Sequence, residues 1–364
     1  MLRLVSFLLV GACANTFATE PKQTPESGAK FVGSIGCKSS SCHGGAGEKR
    51  SQYITWSQKD FHTRAYAILL DARSARIGEA VGISQPRSSA RCTVCHSPFQ
   101  SVAQTRLAPT ARLDEGVSCE SCHGAAEPWL RGHTRTDWTY GTRVSAGMHD
   151  LRNVYVRANA CVACHQNVDA DLLKAGHPEL VFELDSQSIN EPKHWKDDDS
   201  TIGPRSWLVG QAAALREIAW ALAKAPPDDR GQLLDQANGL IWLLDQTSFG
   251  GDLAKLSAFP GIQLSADGIA KRAANWSPTN DELMSILQTF TARDSDFRSA
   301  NTSRENLFYR ALRLTLGIER LTVALNLSAK VDKELNALRM DVQHHYDFDP
   351  ARYAEDLHAL RSKL

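Results

Sequence analysis

The chain has 364 residues, room for about two domains, and its 41 Lys plus Arg balance 41 Asp plus Glu. That neutral balance gives no general argument for binding nucleic acid or an anionic membrane. Nine cysteines are too many for an ordinary cytosolic protein, so their spacing has to be explained.

The opening stretch, MLRLVSFLLVGACANTFATE, has one early charge, Arg3, then an apolar run from Leu4 to Val10, then small residues. The run is too short to cross a bilayer and reads as a secretory signal over residues 1–18. Two cut sites compete. Thr16-Phe17-Ala18 is a small-x-small site with cleavage after Ala18, the one favoured here. Val10-Gly11-Ala12-Cys13 resembles a lipobox, which would leave Cys13 as a lipid anchor. Residues 19–30 form a polar, proline-containing tether. No later segment is apolar enough to span a membrane, so the expectation is an exported, periplasmic protein, soluble in preference to lipid-anchored.

The other eight cysteines fall in pairs, each followed at once by histidine. They are Cys37 and Cys42 before His43, Cys92 and Cys95 before His96, Cys119 and Cys122 before His123, and Cys161 and Cys164 before His165. Three pairs are Cys-x-x-Cys-His. Two thiols at that spacing form thioethers with the two vinyl groups of one porphyrin, and the next histidine binds the iron from below. Zinc ribbons or disulfides would not require a histidine after every pair. The first pair has four intervening residues, Lys38 to Ser41, which are small or solvated and can bulge away from a ring. Its Ser41-Cys42-His43-Gly44 repeats Ser121-Cys122-His123-Gly124. A Cys37–Cys42 disulfide is the alternative. The count favours four covalent haem c groups, with His43, His96, His123 and His165 as proximal ligands.

All four motifs lie between Cys37 and His165. So little chain cannot wrap each haem separately, so the haems must supply much of the core. A tetrahaem domain over 31–203 with sparse regular structure is expected. Whether each iron only carries electrons depends on a second histidine. His62 sits in SQKDFHTRAYAILLDA, a helical stretch with Tyr66 and Leu69 on its face. His177 lies between Gly176, which permits close approach to a flat ring, and Pro178, which favours extended backbone. His133 follows Gly132. These three are distal candidates. The fourth place is contested between His194 and His149, with Met148 a weaker rival. His344, His345 and His358 are expected to be structural, the first two closing a helix.

The segments YITWSQKDFHTRAYAIL, GVSCESCHGAAEPWLRGH and CVACHQNVDADLLKAGHPELVFEL resemble multihaem cytochromes c of the c-554 type, relatives of hydroxylamine oxidoreductase and the pentahaem nitrite reductases. The resemblance covers roughly Phe31 to Trp195. It implies mostly helical structure, haems in close pairs, mainly bis-histidine iron and a periplasmic electron-transfer role, although members include enzymes. It also implies distal roles for His62, His133 and His177. The widened Cys37–Cys42 spacing departs from the pattern, and there is no Cys-x-x-Cys-Lys site of the nitrite-reductase kind.

Beyond about Pro204 cysteine disappears and helical periodicity takes over. Leu208, Leu215, Ala219 and Leu222 share a face, as do Leu233, Ala237, Leu240 and Leu244. Thr302 to Glu305 reads as a capping box before a long helix, and Asp349-Pro350 as the start of the last one. About five helices packed as a bundle over 204–364 are expected, so the fold class is mainly α. The functional expectation is a tetrahaem relay between redox proteins, such as a quinol-linked donor and a terminal reductase, oxidase or outer-membrane acceptor, with no nucleic-acid partner. A redox enzyme with one five-coordinate haem, and a haem-carrying subunit docked through the helical region, are the alternatives.

Overall fold

The computed structural model describes residues 28–197 and 199–364; the signal segment, Cys13 and most of the polar tether lie outside the described residues. Among the described residues the chain is mainly helical and has no strand. Phe31 and Leu107 form one isolated parallel bridge. No helix there is long and apolar enough to cross a membrane.

The first part is built from short helices joined by loops. They are α1 (Gln52–Lys59), α2 (Ala65–Ile68), α3 (Ala72–Ala80), α4 (Ala90–His96), α5 (Cys119–His123), α6 (Tyr140–Ser145), α7 (Val154–His165), α8 (Ala170–Lys174) and α9 (Leu184–Asn190). The helical stretch expected around His62 is broken. Asp60 is extended, with φ −83° and ψ 126°, and its carboxylate accepts from the His62 amide at 2.8 Å. A short acidic side chain that can satisfy a free amide favours such a cap over a continuous helix. His62 therefore sits in a separate 3-10 turn, Phe61–Arg64.

The rest is seven helices, more than the five expected. They are α10 (Ile202–Lys224), α11 (Gly231–Asp245), α12 (Phe259–Ala273), α13 (Asn280–Thr291), α14 (Arg304–Ala324), α15 (Ser328–Asp341) and α16 (Pro350–Arg361). Helix α10 is buried around most of its circumference, as a helix apolar on all sides must be, and packs on α7, α9, α11, α12 and α14. Two helix ends differ from expectation. Ser303, not Thr302, caps α14 by accepting from the Asn306 amide, because the helix starts one residue later than the box pattern requires. His344 and His345 lie past the end of α15, where a 3-10 turn follows. Asp349 caps α16 and Pro350 opens it.

One apolar core runs from Val154 to Leu360 and includes Val154, Ala158 and Val162 of α7 as well as Phe182 and Leu184. No residue between 28 and 153 joins it. The buried apolar side chains there are few: Ala29, Trp56, Leu69, Phe99, Ala126 and Trp129. Apolar burial is the main force that holds a domain together. The earlier part therefore needs another source of it.

Candidate metal centres

The interior of the earlier part is a cavity of about 2640 Å³. An ordinary small-molecule pocket is about 300–1,000 Å³. All eight motif cysteines line it, with all four histidines that follow them. Three motifs occupy helix ends: α4, α5 and α7 each finish on the motif histidine. A helical turn puts residues i and i+3 on one face, which aims both thiols of each pair the same way.

The wide first motif solves the same problem with turns. In a helix the amide of residue i+4 donates to the carbonyl of residue i, so a Cys-x-x-Cys-His helix joins the histidine amide to the first cysteine. Here the His43 amide donates to the Cys37 carbonyl at 3.2 Å although it is six residues on. The extra residues are looped out, closed by Cys42 and Gly44 amides donating to the Ser39 carbonyl, both at 2.9 Å. A Cβ on Gly44 would lie 1.8 Å from the Lys38 carbonyl oxygen, so only glycine fits the closure. No disulfide links these eight cysteines, and Cys37 neighbours Cys119.

Every motif histidine has a second histidine opposite it. Ring centroids are 6.0 Å apart for His43 and His133, 5.9 Å for His165 and His62, 6.4 Å for His96 and His177, and 6.3 Å for His123 and His194. An imidazole nitrogen binds a metal at about 2 Å, and the ring centre lies about 1 Å behind that nitrogen, so two imidazoles on opposite sides of one iron have centroids about 6 Å apart. His149 is not so placed. It is exposed, its Nδ1 lies 2.8 Å from the Cys122 carbonyl and its amide donates to the His123 carbonyl, so it braces the motif backbone.

The far sides of the rings are held. Nδ1 of His133 lies 2.7 Å from the Leu130 carbonyl, that of His177 2.9 Å from the Pro178 carbonyl, and that of His96 3.0 Å from the Ala65 carbonyl. A carbonyl can only accept, so Nδ1 keeps the proton and Nε2 keeps the lone pair a metal needs. His43 Nδ1 lies 3.0 Å from Gln52 Oε1 in the same sense. His62 is held by carboxylates: Asp60 at 3.0 Å and Glu191 at 3.5 Å. Those two partners lift its proton affinity to about 10, while burial moves His96, His133, His165 and His194 downward and His123 down to about 4. Burial disfavours the cation in the last five rings and so favours the neutral form that ligates, whereas the carboxylates favour a proton on His62.

The thiols also neighbour one another. Cys37 meets Cys119, Cys95 meets Cys164, and Cys122 lies within electrostatic range of Cys161. The motifs therefore neighbour one another in the order first, third, fourth, second. Ser118 Oγ, Ser121 Oγ, Trp129 Nε1, Arg143 Nε and Arg157 Nη1 line the same cavity, buried and unpartnered by protein. Free donors around an apolar, thiol-lined space suit a flat apolar ring that carries carboxylates. Gln52, Asp60 and Glu191 were missed at the sequence level. Asp60, two residues before His62, was the one with a local signal, that of a cap.

Residues 36–124 match the family model described as cytochrome c554 and c-prime. That span holds the first three motifs, the widened one included. No curated protein and no solved structure matches the chain.

Proposed function

The segment 36–124 belongs to a cytochrome c family, which implies covalently bound haem c; on that premise we propose that the chain is an exported tetrahaem cytochrome relaying electrons between redox proteins. When bound, haem supplies an iron that changes oxidation state by one electron. The chain's residues do the rest. Cys37 and Cys42, Cys92 and Cys95, Cys119 and Cys122, and Cys161 and Cys164 would attach the four rings. The histidine pairs 43 with 133, 96 with 177, 123 with 194 and 165 with 62 would hold the irons.

The observation that carries the proposal is the set of four opposed pairs, each at a centroid distance near 6 Å. An iron with two histidines has no open position for a substrate, which favours electron transfer over small-molecule chemistry. The succession of neighbouring thiols supports one continuous relay with ends at the first and second motifs. Export fits covalent haem and the secretory signal expected over residues 1–18.

Haem quantitation with EPR of the oxidised, fully loaded protein tests this. Four haems per chain, all low-spin, are expected. Three haems would remove the first motif from the set. A stoichiometric high-spin iron would overturn the relay in favour of an enzyme with one open site.

A further inference from the structure

Two of the proposed axial ligands, His177 and His194, lie on one segment between α8 and α10. From His177 to Glu183 it has no helix, and it then forms α9 and returns to the cavity with Glu191 and His194. The segment is pinned to the helical region at each step. The Phe182 carbonyl accepts from Arg313 Nη1 at 2.7 Å, and Arg313 is buried and also reaches Gln211. Leu184 lies so close to α10 that a Cβ on Gly210 would be 2.9 Å from its amide nitrogen.

The pin nearest a ligand is Glu179, two residues after His177. Its Oε1 accepts from Tyr309 Oη on α14 at 2.8 Å and from Gln236 Nε2 on α11 at 2.6 Å. Tyr309 and Gln236 are themselves buried, and Tyr309 Oη further accepts from Gln232 at 3.0 Å. On the other side, Arg73 donates to the Gly176 carbonyl at 2.7 Å. His177 is thus the turning point of a strap fixed on the helical bundle behind it and on the cavity wall before it.

We propose that Glu179, gripped by Tyr309 and Gln236, is a positioning residue that holds His177 opposite His96. Through that grip the C-terminal helices would position the second histidine for the haem that Cys92 and Cys95 would attach. This rests on the bis-histidine assignment above. A charge-assisted hydrogen bond from a buried donor is among the stronger restraints available to a loop.

The test uses fully loaded protein and the spin state of each iron. Wild type is measured first. If it lacks a low-spin iron that turns high-spin in His177→Ala, the ligand assignment fails and the positioning proposal falls with it. If wild type is low-spin throughout, Glu179→Ala and Tyr309→Phe should each expose high-spin iron and binding of added cyanide at up to one haem per chain. Glu179→Gln, which keeps an acceptor oxygen, should restore the low-spin spectrum. Adding Glu179→Ala to His177→Ala should give no more high-spin iron than His177→Ala alone. Low-spin spectra in Glu179→Ala and Tyr309→Phe, or further high-spin iron in the double variant, would overturn the positioning role while leaving the relay intact.

Discussion

At Gly44 a single methyl group decides whether the first motif can close. The loop from Cys37 to Gly44 brings the His43 amide back to the Cys37 carbonyl, and a Cβ at Gly44 would meet the Lys38 carbonyl at 1.8 Å. Gly44→Ala should therefore lower the haem count from four to three, read as the loss of one haem mass from the intact protein, with the other three unchanged. His194 and His149 can be separated the same way. His194→Ala should convert one iron to high spin, whereas His149→Ala should leave every iron low-spin in EPR. That the motif cysteines and the histidines after them share one cavity was legible in the sequence, because their spacing repeats over a few residues. The choice between His194 and His149 was not, because it depends on which ring opposes His123 after a long excursion of the chain, and no local pattern records that.

At the scale of elements, helices were read well where apolar periodicity and a cap agreed, as in α10 and α16, and poorly where a polar side chain competed with the helix. Asp60 is the instance that matters, because breaking the helix there leaves His62 between two carboxylates. The division of the bundle into seven helices was missed although α13 opens on a capping box of Thr279 and Glu282 and α12 has Pro260 in its first turn; α12 packs on α10 and α13 on α14. Helix α9 offers a pH test. Burial lifts the Asp185 carboxyl to about 6, with Glu183 pushing the same way and Arg320, at 3.6 Å, opposing it. An unfolded Asp titrates near about 3.9. The folded state thus binds this proton more tightly. Its contribution favours folding below about pH 4 and is lost as pH rises through about 6. Asp185→Asn should flatten that fall, gaining thermal midpoint over wild type between pH 4 and 6.5 by the equivalent of up to about 3 kcal/mol. An unchanged slope would mean that Arg320 outweighs the burial.

Across the whole molecule the two halves differ in what fills them. The later part has a continuous apolar core from Val154 to Leu360, while the earlier part surrounds a cavity with its cysteines and histidines turned inward. The contrast was foreseeable from the crowding of four motifs into so few residues. The way the core reaches back into α7 was not, since Val154, Ala158 and Val162 precede the end of the last motif and look like part of it. The fourth motif is thus mounted on the bundle itself. Destabilising the bundle should expose the segment with Cys161 and Cys164 to protease before the one with Cys37 and Cys42. Limited proteolysis with mass mapping of the first cut sites would show the order.

The histidine pairing also sets a timetable for biosynthesis. His62 precedes His165 in the chain, so the last ring to be attached finds its upper ligand already made. The other three rings are in the opposite situation: His133, His177 and His194 all follow the motif they complete. A chain threaded from its N-terminus would present the second and third attachment sites to the maturation machinery before their upper ligands had emerged. On the proposed pairing, those two sites would lack their second histidine until residues 177–194 had emerged. On the proposed grip of Glu179, the C-terminal helices, made last, would then fix His177.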